Sequence, residues 1–180
     1  SIEGGIQADS VLGDNRAGAK AIANHFKALG HKNIIHFCGP DSEEWAKARR
    51  EAFEEEVDCL SVEVDVRPRL DPVMKKTLEA HPETTAVFAA TDGFARDVYR
   101  VAEELGLRIP DDLSVVGYSD LDFSDYLHPR LTTVHDHPYE MGKRAAALVI
   151  KRMEGEVPES PTVELLPAKL IERDSTQPLH

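Results

Sequence analysis

The sequence predicts an α/β fold: a doubly wound parallel sheet with helices on both faces. Three observations carry this prediction. Short apolar runs turn polar at their carboxyl ends, helical periodicity fills the intervals between them, and most connections span only a few residues. The clearest run begins at Ile109-Pro110-Asp111-Asp112, continues through Leu113-Ser114-Val115-Val116-Gly117 and ends at Tyr118-Ser119-Asp120. Proline and two acids close a helix and its loop, Ser114 to Gly117 reads as a buried strand, and polar groups follow at once. In an open parallel sheet, the carboxyl ends of the strands are where small ligands bind.

The elements follow in order. Residues 1–13 are Gly-rich and polar and lead into a helix with no strand before it; with no initiator Met, this reads as a piece of a longer chain. Asp14 is a good N-cap for a helix to Leu29, with Gly30 as its stop. Asn33 to Cys38 is a continuous apolar strand ended by Gly39-Pro40, and a highly charged helix runs from about Ser42 to Val57. Ser61 to Val66 alternates as an edge strand does, and Asp71-Pro72 opens a helix to about Ala80. Ala86 to Ala90 is a strand ending in Thr91-Asp92, and its helix stops at Gly106. Leu131 to Val134 is a candidate fifth strand. A helix from about Tyr139 to Glu154 stops at Gly155, and Val163–Leu166 and Lys169–Glu172 are short strands before a polar tail.

Composition narrows the function. The 180 residues carry 21 Lys and Arg against 33 Asp and Glu, a formal charge of −12, which repels phosphate backbones and argues against direct nucleic-acid binding. No apolar run reaches the roughly 18 residues of a membrane span, so no membrane partner and a cytoplasmic location are expected. Of the two cysteines, Cys38 lies in an apolar run as a buried free thiol would, with a Cys38–Cys59 disulfide as the minor alternative.

The strand ends align Gly39 to Ser42, Arg67, Thr91 and Asp92, Ser119 and Asp120, and His135 and Asp136 on one rim. Hydroxyls, carboxylates and a guanidinium suit a polyhydroxylated or zwitterionic ligand, each of whose polar groups needs a partner once water leaves. Taken singly, Ser42, Thr91, Asp92 and Asp120 are equally helix caps. Enzymatic signatures are weak. There is no G-x-G-x-x-G, no G-x-x-x-x-G-K-[ST] and no G-x-S-x-G. His135 and His137 lack further metal-like donors, and Asp65 lacks the acidic pair of a phosphoacceptor site, so no cofactor or metal is expected.

Several motifs together resemble the effector-binding core of the lactose-repressor/galactose-repressor (LacI/GalR) family. They are Asp14-Asn15, Leu29-Gly30-His31, Ile34 to Pro40, Arg49-x-x-Ala52-Phe53, Thr91-Asp92, the Ile109–Asp120 stretch, Leu131-Thr132-Thr133-Val134, Met141-Gly142 and Leu170-Ile171-Glu172-Arg173. The resemblance implies a periplasmic-binding-protein-like type I fold of two lobes, with the N-terminal lobe largely missing. Residues 1–13 would be a linker or remnant of the upstream lobe, 14–134 the C-terminal effector lobe, 135–157 a returning N-lobe helix and 158–180 terminal strands and tail of the C-lobe. The helix from Tyr139 would lack packing and be displaced, mobile or paired with a second copy.

The same resemblance makes Asp14, Arg49, Thr91, Ser119 and Asp136 effector contacts, with Asp120 beside them and Arg49 as the bidentate anchor. Ser119 stands where the family commonly has Asp, Thr91 where many members have Asn, and Asp136 where many have Gln. The implied partners are a small-molecule effector of the carbohydrate class, a second copy in a homodimer touching near Tyr126, Leu127 and the helix from Phe94, and DNA only through an upstream domain. No catalysis is implied; a transport-type sugar-binding protein of the same fold is the alternative.

Overall fold

The computed structural model describes residues 8–64, 71–158 and 160–179. Strand β1 (Ser10–Gly13) precedes α1 (Asn15–Leu29), so the helix-first start expected from the sequence is corrected. The Asp14 carboxylate accepts from the Ala17 amide at 2.9 Å, and Gly30 ends α1 in the left-handed conformation. Then come β2 (Ile34–Cys38), α2 (Glu44–Glu54), β3 (Leu60–Glu63), α3 (Asp71–Ala80), β4 (Ala86–Ala89), α4 (Asp92–Leu105) and β5 (Ser114–Val116). A 3-10 turn at Asp122–Asp125, absent from the sequence reading, leads to β6 (Thr133–His135), α5 (Pro138–Glu154), β7 (Val163–Leu166) and β8 (Lys169–Ile171). Arg67 and Asp65 lie outside the described residues.

The central sheet has the order β3-β2-β4-β5, all parallel, and an isolated parallel bridge from Val116 to Thr132 extends it. Alternate residues face opposite sides, as the two-residue period of a strand requires. Ile35, Phe37, Val87, Ala89 and Val115 pack with Met74, Leu78, Phe94, Val98 and Val101 of α3 and α4. Ile34, Ala86, Phe88 and Val116 pack with Ile22, Phe26, Ala52 and Phe53 of α1 and α2. Helices on both faces make the sheet doubly wound, as predicted. From β2 the chain goes outward to β3 and then crosses back to β4, so the strand order reverses between β2 and β4. A crevice opens at the carboxyl ends of such a pair.

Two small sheets complete the chain. β1 pairs in parallel with β7, and β6 pairs antiparallel with β8. The expected fifth strand at Leu131–Val134 is present as β6, displaced toward His135: it runs parallel to the end of β5, where the Gly117 amide donates to the Thr132 carbonyl and the Ser119 amide to the Val134 carbonyl, each at 2.9 Å, and it also pairs antiparallel with β8. Helix α5 packs on β1 and has no buried residue; Val149 and Met153 are 56% and 82% exposed. No intact second lobe encloses its apolar face among the described residues. Both cysteines are free, and the β2–β3 register places Ile35 opposite Leu60 and Cys38 opposite Glu63, four residues along the strand from Cys59. Among the described residues, no helix is long and apolar enough to cross a membrane.

Candidate functional site

Arg49 sits on the face of α2 that also buries Ala46, Ala52 and Phe53, which carries its guanidinium inward to the crevice. It is only 6% exposed. Its Nε donates to Asn15 Oδ1 at 2.8 Å and its Nη1 to the Ala90 carbonyl at 2.6 Å, just past the end of β4. The guanidinium carbon lies 3.4 Å from the centroid of the Tyr118 ring and 4.9 Å from that of Trp45. Burial pulls Arg49 down to about 10; the Tyr118 phenol and the Asp136 and Asp92 carboxylates oppose that pull and favour the charged form. A planar cation between aromatic faces is a geometry that arginine supports and lysine does not.

Tyr118 follows β5, is fully buried, and lies against Gly18, where a Cβ would stand 2.3 Å from the phenol oxygen. Burial raises this phenol to about 12, with Arg49 the main opposing influence. Asp136, between β6 and α5, is half-buried; a Cβ on Gly13 would be 3.2 Å from its own. Burial raises the Asp136 carboxyl, and Arg49 holds it back. Arg49 and Asp136 thus place a donor fork and a carboxylate acceptor on one rim, next to the Asp14 cap of α1. That combination binds vicinal hydroxyls, which donate to one group and accept from the other.

The other residues singled out in the sequence divide. Thr91 is an N-cap, its hydroxyl accepting from the Phe94 amide at 3.2 Å, next to the Ala90 carbonyl that Arg49 holds. Ser119 and Asp120 have left-handed backbones (φ 113 and 52), and the Ser119 amide donates to the Val134 carbonyl. Asp120 is engaged elsewhere: Arg173 Nη2 donates to it at 2.8 Å and His135 Nδ1 lies 3.0 Å away. With Arg173, Asp122, Asp125 and Tyr126 it lines a groove of about 430 Å³. The His135 ring packs edge-on against His137 at 4.5 Å. Of the residues expected at a dimer contact, Phe94 is core and Leu127 packs on the core, while Tyr126 is 79% exposed.

Asp92 has a different task. Fully buried, its carboxylate accepts from the Leu121 amide (2.7 Å), the Ser124 hydroxyl (2.8 Å) and the Thr133 hydroxyl (2.6 Å), fixing the loop after β5. Sequence reasoning missed Asn15, Trp45 and Tyr118 as partners of Arg49. Asn15 was visible as the neighbour of the cap, and Trp45 stands four residues before Arg49, one turn away on the same helix face. A second cavity, of about 290 Å³, lies at the amino ends of β2 and β3, lined by Asn33, Leu60 and His81 among others, away from the rim.

Residues 23–176 match the periplasmic binding protein-like domain. The chain belongs to this family. As a periplasmic-binding-protein-like domain it is 33% identical over 173 residues to the ribose operon repressor of Halalkalibacterium halodurans, covering 93% of this chain and 52% of the repressor. It superimposes on a LacI family transcriptional regulator from Enterococcus faecium with bound ribose (TM-score 0.86, 28% identity, 96% of this chain and 66% of that one). It also superimposes on a dimeric Lac repressor (TM-score 0.87, 25% identity, 96% and 66%). The chain spans about half the length of the curated relatives it matches. These relatives are transcriptional repressors and LacI-family regulators, the family that the motifs resemble.

Proposed function

We propose that this periplasmic-binding-protein-like domain is the effector-binding and dimerisation lobe of a LacI-type DNA-binding regulator, cytoplasmic and without catalytic activity, and that its effector is a small sugar. The observation that carries the reading is the buried Arg49 guanidinium, held between Tyr118 and Trp45 at the strand-order reversal with the Asp136 carboxylate beside it. Repressor relatives, one solved relative holding ribose, favour regulation over transport.

In this reading residues 14–134 with β8 and the tail form the lobe that grips the effector. β1, α5 and β7 form part of the facing lobe, which moves β7 out of the C-lobe assignment made from sequence. A ligand bound between lobes shifts their relative orientation by its differential affinity for the two arrangements, and DNA bound through an upstream domain responds. Asp14, Thr91 and Ser119 complete the contact set, and Tyr126 with the outer face of α4 contributes to the homodimer.

The test is thermal unfolding of the full-length protein against a panel of pentoses, hexoses and disaccharides, with Arg49→Ala in parallel. A ligand that binds the folded state raises the midpoint by mass action, by about 2.7 kcal/mol of stability at a hundredfold excess over Kd. A sugar that stabilises the wild type and leaves Arg49→Ala unmoved is expected. Equal stabilisation of both proteins would place the site elsewhere, and no response to any sugar would discard the carbohydrate reading.

A further inference from the structure

We propose that His135 and His137 form a proton-operated latch on the crossover from β6 to α5: the neutral rings hold the start of α5 in place, and protonation of His135 releases it. The latch concerns how the chain is joined and is independent of what the Arg49 site binds. β1 pairs with β7 and carries α5, and among the described residues three short connections tie this unit to the rest: Gly13 to Asn15, His135 to Pro138 and Leu166 to Lys169. The connections lie side by side. A Cβ on Gly13 would stand 3.2 Å from the Asp136 Cβ, and the Asp14 amide donates to the Leu166 carbonyl at 2.9 Å.

The middle connection carries the latch. His137, the N-cap of α5, has a left-handed backbone (φ 55, ψ 51), uncommon for a residue with a Cβ, and its side chain makes no capping bond. Its ring instead meets the His135 ring edge to face, with centroids 4.5 Å apart at 89°. His135 Nδ1 also lies 3.0 Å from Asp120 Oδ2, yet this buried nitrogen forms no hydrogen bond, so the carboxylate is close to the ring but out of line with it. A neutral ring gains little by turning. An imidazolium gains a charge-assisted bond, roughly twice as strong as a neutral one, and in turning toward Asp120 it leaves His137.

The charges around the pair are mixed. Asp120 also takes the Arg173 guanidinium, which reaches Asp125 as well, and the β6–β8 register sets Lys169 opposite His135. Asp136 separates the two histidines; burial raises its carboxyl, and His135 is among the groups that oppose the rise. The Glu140 carboxyl of α5 is lowered chiefly by Arg144 and also by His137. Histidine is the side chain whose charge changes between about pH 5 and 8, so pH sets the balance of this cluster.

The experiment is hydrogen exchange, read by mass spectrometry on the full-length protein at about pH 8 and about pH 5.5, with rates corrected for the intrinsic effect of pH. The reporter is the first bonded turn of α5, which begins with the Met141 amide donating to the His137 carbonyl at 3.0 Å. In wild type its protection relative to that of α4 is expected to fall about tenfold at the lower pH. His137→Asn, which keeps the left-handed backbone, and His135→Gln show low protection at both pH values. Asp120→Asn, which gives the ring no charge to turn toward, keeps protection high at both. His36→Phe retains the wild-type response, which separates the latch from the acid sensitivity of the core. Protection that ignores pH in wild type overturns the proposal. So does a pH response that survives in His137→Asn, His135→Gln or Asp120→Asn; His135→Gln decides the matter if His137→Asn does not fold. A pH response in a protein that binds no sugar supports the latch and removes only the effector reading.

Discussion

Gly117 and Asp92 share one volume: a Cβ built on Gly117 would lie 2.3 Å from Asp92 Oδ1 and 2.9 Å from Leu131 Cδ2. The carboxylate needs that room because it holds the Leu121 amide and the Ser124 and Thr133 hydroxyls in place. Gly117→Ala therefore destabilises the domain by about 1–3 kcal/mol through overpacking. Asp92→Ala strands three buried donors and costs about 3 kcal/mol or more. Chemical denaturation of the two variants measures both. An Asp92→Ala protein as stable as wild type would show that the loop after β5 does not depend on this carboxylate.

Arg49 should separate binding from stability. Its direct hydrogen bonds go to neutral acceptors, with aromatic faces against it and the Asp136 and Asp92 carboxylates favouring the cation without a bond to it, and an apolar side chain of similar length removes the cost of keeping that charge out of water. Arg49→Met is expected to stay within about 1.5 kcal/mol of wild-type stability while sugar affinity falls about a hundredfold, the loss of two charge-assisted hydrogen bonds. Arg49→Lys does not restore binding, because an ammonium neither stacks flat on Tyr118 nor presents a fork. Restoration by lysine would mean that charge alone is recognised.

His36 sets an acid limit. It is fully buried in β2, its ring stacks on Phe88 at 4.2 Å, and neither ring nitrogen has a partner among the described residues. Burial, with Arg50 and Arg49 nearby, depresses it from 6.5 to about 3. The unfolded chain therefore binds the proton first as pH falls. The stability that the neutral imidazole supports is complete above about pH 6.5 and is lost between pH 6.5 and 3, at up to about 1.4 kcal/mol per pH unit. Burial also lowers His25 and His31, which adds to the loss with the same sign. His36→Phe is expected to move the acid-unfolding midpoint to lower pH, monitored by circular dichroism. An unmoved midpoint would assign acid unfolding to other groups.

Two arginines of the carboxyl-terminal half form ion pairs of unequal value. Arg173 is shielded and donates to the Leu131 carbonyl as well as to Asp120, whereas Arg130 meets Asp174 in the open. Arg173→Ala is expected to cost about 2–3 kcal/mol and Arg130→Ala at most about 1 kcal/mol, since exposed pairs contribute little. Equal losses would show that the shielding of Arg173 has no energetic effect.

The sequence by itself determined the elements whose signals are local. Asp14 with Gly30, Thr91 with Gly106 and the Pro138 start with Gly155 bound three helices within one turn of the chain, because a cap satisfies backbone groups only three or four residues away. The apolar runs at Ile34, Ala86 and Ser114 were likewise legible as strands, and their polar ends marked the rim that holds Arg49 and Asp136. Tertiary structure decided what depends on partners distant in the chain. β1 became a strand by pairing with β7, some 150 residues later, and Thr133–His135 gained β8 as an antiparallel partner beside its parallel contacts to the end of β5. Asp120 went to Arg173 instead of the Arg49 cluster. Ion pairs and strand edges are satisfied by whichever group the packed helices and sheets bring within about 3 Å, and no local spacing encodes that choice.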